Sequence, residues 1–153
     1  MKKHSGFTLI EALTAVVVLA ILTAVALPNY RIFVQSQKVR QASYDLTSSL
    51  LFARSEAIKR NATVTMTQAT GGWTNGWQIA AGGVSIRSQD AYPGGITITN
   101  SDSLTAISYS GDGRLSGGGS TFKIGSAEIS SSVTPRCVVI QLGGMPTSKV
   151  GGC

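Results

Sequence analysis

The sequence predicts an α+β fold in which one long N-terminal helix packs on an antiparallel β-sheet domain. An apolar run near the N-terminus is long enough for a membrane-spanning helix, and an amphipathic helical pattern continues it to about residue 61. From residue 62 the apolar period changes to two, between glycine-rich turns. The 153 residues, with 18 glycines and 13% charged residues, suit one modest β-rich domain and an appendage.

The predicted organisation has four parts. Residues 1–6 form a short basic leader peptide, residues 7–28 a helix long enough to span a membrane, and residues 29–61 the amphipathic half of the helix. Residues 62–153 form a β-rich domain with a C-terminal disulfide loop. The formal net charge of +6 permits contact with an anionic polymer but does not require it.

The apolar run contains one charged residue, Glu11, between Phe7 and Leu27. Its 21 residues span about 31 Å as a helix, enough to cross a hydrocarbon core. An ordinary signal peptide has a shorter apolar region and a cleavage site after it, and a plain anchor leaves the carboxylate unexplained. A carboxylate inside a membrane is costly, so Glu11 indicates a function.

Residues 6–11 read Gly-Phe-Thr-Leu-Ile-Glu and follow a short basic segment. This stretch resembles the processing site of type IV pilins and pseudopilins, in which prepilin peptidase cuts after the glycine on the cytoplasmic side. The resemblance implies cleavage between Gly6 and Phe7, N-methylation of Phe7, and retention of the apolar helix in the mature protein. It also makes inner-membrane lipid an expected partner.

Glu11 is the predicted assembly residue. Cleavage creates an ammonium group at Phe7, and a carboxylate of the same chain or of a neighbouring chain can neutralise it in an apolar filament core. The alternative is a carboxylate that reaches the membrane surface without a partner. Lys2 and Lys3 predict a cytoplasmic leader and a periplasmic C-terminal domain. The expected location is therefore the bacterial inner membrane, crossed once, and later the pilus filament at the cell surface.

The rest of the helix carries one apolar stripe that we expect to face the sheet. Pro28 predicts a kink or a helix boundary, and Asn61 predicts the C-terminal cap. The stripe residues recur at spacings of three and four: Val39, Ala42, Leu46, Leu50, Ala53 and Ala57. Eight short runs predict strands, at residues 63–67, 76–80, 84–87, 96–99, 105–109, 121–124, 128–130 and 137–142.

Two cysteines, Cys137 and Cys153, lie near the C-terminus. In an exported chain an isolated pair predicts a disulfide bond, whereas in a cytosolic chain it would be two buried thiols. The basic N-terminal segment and the apolar run favour export. The sequence therefore predicts a disulfide loop at the C-terminus.

Three further segments narrow the resemblance to the FimT/FimU and GspH group. Residues 50–58 read LLFARSEAI and resemble its LxxARSEAI segment, Asn-Gly-Trp at 75–77 its GW strand start, and Gly-Asp-Gly-Arg at 111–114 its DGR turn. The resemblance implies a minor type IV pilin that supports pilus assembly or a tip complex, with other major and minor pilins and prepilin peptidase as partners. The cysteine pair favours this branch over a minor pseudopilin of type II secretion, which is a further alternative.

A second alternative is a DNA-binding minor pilin for natural transformation, with double-stranded DNA as the partner. The FimT branch carries Gly-Arg-x-Arg in its C-terminal tail, and the matching place here reads Gly-Met-Pro-Thr at 144–147, without either arginine. The remaining candidates for phosphate contacts are Arg136, Lys149 and Arg114, which predict weak and salt-sensitive binding. Trp73 and Trp77 are either a base-stacking platform or, more in keeping with strands, buried residues.

The sequence predicts no catalytic site, no cofactor and no metal. The only histidine, His4, lies in the leader, which leaves no usual general base near neutral pH. The cysteines lack the spacing of metal ligands. Asp102 and Asp112 lie in Ser/Gly-rich turns, where a carboxylate more often forms the turn than binds calcium.

Overall fold

The computed structural model describes residues 8–129 and 131–153. They form one helix, α1 (Leu9–Arg60), and eight strands, and the chain divides into two compact units at Val34. The predicted leader and the cleavage site between Gly6 and Phe7 lie outside the described residues. The α+β class is confirmed.

The first unit is the helix up to Val34, and its apolar side chains are exposed from Leu9 to Leu27. The helix continues through Pro28, so of the two alternatives for this residue, a kink or a helix boundary, the boundary is wrong. Its most apolar window has a mean hydropathy of 2.5 and none of it is buried. By length and composition this helix is able to cross a membrane.

The second unit begins at Gln35, where the helix acquires a buried face. All six residues of the predicted stripe are at most 1% exposed. The helix ends at Arg60, and Asn61 has φ 47°, the left-handed conformation of a C-terminal cap. Amphipathic patterning therefore predicts the packed face of this element, and Asn61 predicts its end.

The strands form two four-stranded antiparallel sheets, one more than the sequence indicates. Sheet 1 has the order β3-β2-β1-β5, and sheet 2 the order β4-β6-β7-β8. The strands are β1 Val64–Gln68, β2 Trp77–Ala81, β3 Val84–Gln89, β4 Ile96–Asn100, β5 Ala106–Tyr109, β6 Ser120–Ser126, β7 Arg136–Ile140 and β8 Pro146–Val150. The helix contacts both sheets. The guanidinium of Arg87 in sheet 1 lies over the ring of Phe52 of the helix, and the hydroxyl groups of Ser43 of the helix and Ser148 in sheet 2 are hydrogen-bonded.

Two predictions about strands are corrected. The run 128–130 is not a strand, since Glu128 and Ile129 lie in a turn, and the N–H of Val133 donates to the Ile129 carbonyl oxygen (3.1 Å). Ser130 lies outside the described residues. Strand β8 was not predicted; it begins with Pro146, and proline is disfavoured in the interior of a strand. At the first position of an edge strand, however, the missing N–H of a proline removes no ladder bond.

The two tryptophans belong to the core of the second unit. Trp73 is 3% exposed and Trp77 is 2% exposed. The indole N–H of Trp73 donates to the Leu104 carbonyl oxygen (2.8 Å), and its ring meets the edge of Phe122 at 5.0 Å between centroids. The prediction that they are buried strand residues is right in burial, although Trp73 lies in a 3-10 turn, and a base-stacking platform is excluded because neither ring is accessible.

Candidate assembly site and surface cations

Thr8 and Glu11 cap the start of the apolar helix. The N–H of Glu11 donates to the hydroxyl oxygen of Thr8 (3.3 Å) and to its carbonyl oxygen (3.1 Å). Thr-x-x-Glu is the spacing of a capping box, and a carboxylate is favoured at a helix N-terminus because the free N–H groups carry partial positive charge. The helix start thus fixes the backbone of Glu11 in the first turn of α1; Phe7 lies outside the described residues.

Glu11 is exposed, and neither ion pair found within residues 8–129 and 131–153 includes it; both belong to Glu56. The hydroxyl groups further along the apolar segment bond to their own helix, Thr14 to the carbonyl oxygen of Glu11 (2.9 Å) and Thr23 to that of Leu19 (2.7 Å). Glu11 is the one acidic or basic residue between Leu9 and Tyr30.

A disulfide bond joins Cys137 and Cys153, as predicted, with 5.2 Å between their Cα atoms. Cys137 is fully buried in β7, whereas Cys153 is exposed at the C-terminus. The N–H of Gly151 also donates to the carbonyl oxygen of Pro135 (2.9 Å). The tail that follows β8 is therefore fixed to the start of β7 by one covalent bond and one hydrogen bond.

The three cations predicted to contact DNA lie on different surfaces. Arg136 is half-buried with its guanidinium 5.7 Å from the ring centroid of Tyr44 on the helix. Lys149 pairs with Cys137 and therefore points to the opposite face of sheet 2, because adjacent residues of a strand face opposite sides. Arg114 precedes Leu115, whose backbone N–H donates to the carbonyl oxygen of Leu142, just after the C-terminal end of β7.

The length of β7 separates Arg114 from the other two cations by about 13 Å of strand. Sequence reasoning did not single out Lys123, which is exposed on the same face as Lys149 because both residues pair with Cys137. Only the strand register reveals this pair. DNA binding stays a prediction of the sequence, and the structure does not bring its three named residues together.

Two of the three segments quoted for the FimT/FimU resemblance, residues 50–58 and 111–114, meet at one structural junction. Arg54 of the helix donates from Nε to the carbonyl oxygen of Gly113 (2.9 Å), and its Nη1 lies 3.5 Å from the sulfur of Met145. Gly144 lies directly against the Gly113 carbonyl oxygen. These contacts tie the helix to the turn at 111–114 and to the hairpin that joins β7 to β8.

Both candidate calcium ligands form turns. The carboxylate of Asp112 accepts hydrogen bonds from the Ser110 hydroxyl and the Arg114 backbone N–H, and these bonds, the hydroxyl first, hold its pKa below the usual value. Asp102 accepts a hydrogen bond from Ser120 (3.2 Å). Within the described ranges no cluster of three or more potential metal-ligating side chains occurs.

Comparisons with known proteins agree with these elements. Residues 42–144 match the family model described as Type II transport protein GspH, and residues 1–27 match the prokaryotic N-terminal methylation motif. No curated protein sequence matches the chain significantly.

Solved structures share the fold. One crystal form of the type IV minor pilin FimU of Pseudomonas aeruginosa matches with a TM-score of 0.65 and 20% sequence identity, over 76% of this chain and 92% of FimU. A second crystal form of FimU matches with a TM-score of 0.64 and 20% identity, over 72% of this chain and 91% of FimU. The minor pseudopilin EpsH from the Type 2 Secretion System of Vibrio cholerae matches with a TM-score of 0.55 and 12% sequence identity, over 75% of this chain and 97% of EpsH.

Proposed function

Because this chain belongs to the GspH family of type IV pilin-like proteins, we propose that it acts as a minor type IV pilin. Prepilin peptidase removes the leader between Gly6 and Phe7, and Phe7 is N-methylated. The apolar helix then anchors the chain in the inner membrane, with its second unit in the periplasm, until the chain joins a filament with other pilins. The observation that carries this proposal is the exposed apolar helix with Glu11 at its start.

The apolar helix requires a cover. Eleven large apolar side chains between Leu9 and Leu27 are more than half exposed, and burying each one is worth about 1.5–3 kcal/mol. Lipid tails supply the cover in the membrane, and the apolar helices of other subunits supply it in a filament. The same surface therefore serves both stages of assembly.

Glu11 directs the passage of the subunit from the membrane into the filament. Inside a filament its carboxylate loses water, and a charge left alone there costs several kcal/mol. The N-methylated ammonium of Phe7, in the same chain or in a neighbour, restores a neutral pair. Since the pair forms only at one axial position, Glu11 sets the register of the subunit in the filament.

The test compares full-length chains in the producing bacterium. Glu11→Ala and Glu11→Gln are followed by the amount of the chain in sheared filaments and in the membrane, and leader removal by the mass of the N-terminal peptide. We expect both variants to be processed and to remain in the membrane, with at least tenfold less in filaments. Asp90→Asn is the control, because Asp90 is also an exposed acid but lies in the second unit. Normal incorporation of Glu11→Ala would refute the registry role.

A pseudopilin of type II secretion is the second candidate, favoured by the description of the matching family and by the likeness to EpsH. Deletion of the gene separates the two functions. Loss of pili with normal protein secretion supports the minor pilin, and the opposite result supports the pseudopilin.

A further inference from the structure

The exposed apolar residues of the second unit are unevenly distributed. Eight large apolar side chains are exposed in its described residues, and two of these, Val84 and Leu104, lie apart at the start of β3 and before β5. The other six form what we call the apolar face: Tyr44, Leu51, Ile58, Leu142, Met145 and Val150. A concentration of this kind on a folded domain marks an interaction surface.

The helical part of the apolar face is a straight stripe. Tyr44, Leu51 and Ile58 follow each other at seven-residue spacing, so they lie on one side of the helix, two turns apart. Their exposed fractions are 55%, 38% and 50%, whereas the neighbouring Leu50 on the core side is fully buried. These three side chains thus form an apolar stripe that neither sheet fully covers.

The strand part lies directly beside the helix. Ser148 of β8 meets Ser43 of the helix at 2.8 Å between hydroxyl oxygens. At one end of β8, Val150 pairs with Arg136, which stacks over Tyr44.

At the other end of β8, the sulfur of Met145 contacts Arg54, three residues after Leu51. Leu142 belongs to the same hairpin, and Ile58 lies against the Gly113 turn to which that hairpin is joined. The six residues therefore share one continuous surface.

Cations border the apolar face. Arg40 precedes Tyr44 by one helical turn and is exposed, and Arg136 and Arg54 contact the face through Tyr44 and Met145. None of the three is within 4.0 Å of a carboxylate in residues 8–129 and 131–153, where the ion pairs belong to Glu56.

The acids of the second unit are engaged elsewhere. On the helix, Asp45 accepts a hydrogen bond from Tyr92 (3.0 Å), and Glu56 pairs with Arg60 at 2.7 Å. Asp112, at the edge of the face, is held by Ser110.

The remaining acids lie on other elements: Asp90 after β3, Asp102 after β4, and Glu128 after β6 beside Gln35. The border of the apolar face therefore carries a net positive charge, from three arginines and one acid, Asp112.

We propose that the apolar face binds the folded domain of a different pilin subunit, one that presents an apolar patch bordered by Asp and Glu. Opposite charges at the rim steer association and select the partner, while the apolar centre supplies most of the affinity. A second copy of this chain would place arginines against arginines, which disfavours self-association. An apolar helix like that of this chain carries one carboxylate, at its start, and so does not match a border of three arginines. This inference rests on the proposed incorporation among other pilins.

The binding test uses the full-length chain in detergent micelles and, as probes, each of the other full-length pilins of the producing organism. Leu51→Asp places a charge in the centre of the face, and we expect it to raise the Kd for the partner at least tenfold. Val84→Asp is the control, since Val84 is as exposed as any residue of the face but lies on sheet 1, and its Kd should be unchanged. Arg40→Glu should also weaken binding, and Lys123→Glu, on the outer face of sheet 2, should not. Unchanged melting curves show that the variants fold.

A cross-link identifies the occupant. A photoreactive amino acid in place of Leu51, activated in cells, should join the chain to an acidic segment in the folded domain of another pilin. A cross-link to a second copy of this chain, or to the apolar helix of any subunit, overturns the inference. In the binding test, equal Kd values for Leu51→Asp and Val84→Asp overturn it as well, and so does the absence of binding to any pilin. Wild-type chain absent from filaments refutes the proposed function instead; wild-type and Leu51→Asp chains equally abundant in filaments refute only the docking surface.

Discussion

Replacement of Cys153 by serine removes the cross-link while leaving the buried Cys137 in place. The bond closes a loop between positions 16 residues apart. A loop of this size restricts the unfolded chain by an entropy worth about 3 kcal/mol at 25 °C. Because the serine replaces an exposed terminal residue, little folded-state packing is lost with it. We therefore expect Cys153→Ser to lower the free energy of unfolding of the second unit by about 3 kcal/mol.

Trp73 and Trp77 report this change, because both are buried in the second unit and absent from the first. Unfolding of the full-length chain in micelles, followed by tryptophan fluorescence against temperature, should show a fall in Tm of about 10 °C. Lys149→Ser is the matched control, since Lys149 is exposed within the same loop and forms no cross-link.

Wild-type protein treated with a thiol reductant should reproduce the Tm of Cys153→Ser. If Cys153→Ser melts with the wild-type Tm, the loop does not restrict the unfolded chain and the entropy argument is wrong. If the Tm of Lys149→Ser falls as far as that of Cys153→Ser, the loss of stability comes from disturbed pairing of β8 with β7 and not from the missing disulfide bond.

Two further predictions concern packing. Leu50→Ala should lower the free energy of unfolding by about 3 kcal/mol and Leu51→Ala by less than about 1 kcal/mol, because the first side chain is fully buried and the second is 38% exposed; equal losses in urea titrations would contradict the assigned helix face. Gly144→Ala should cost more than about 1 kcal/mol, because φ is 78° and the new methyl group would overlap the Gly113 carbonyl oxygen. Gly152→Ala, where nothing lies within 4 Å, should cost nothing measurable in the same titration.

The sequence predicts the helix well because its signals are local. The stripe from Val39 to Ala57 depends only on the helical period, and all of its members are buried. Asn61 ends the helix because an asparagine tolerates the left-handed conformation, again a property of one residue. The long apolar segment of the first unit likewise follows from composition alone.

The sequence does not predict which strands pair or which side chains share a face. Arg136 and Lys149 are close in the hairpin, yet their side chains leave sheet 2 on opposite sides because the register pairs Lys149 with Cys137. A change of one residue in register would exchange these faces. The candidate DNA contacts could therefore be chosen by charge but not grouped into a site.

Arg54 shows the same limit for a charged residue on a helix. From the sequence it belongs to a solvated polar face, but in the structure its Nε bonds to Gly113 and its guanidinium lies on Met145, which is 91 residues away in the chain. A cation held in this way is less free to contact phosphate and instead joins the helix to the hairpin. The arginine of the ARSEAI segment thus positions the edge of the apolar face, and its chemistry follows from tertiary contacts that no local pattern contains.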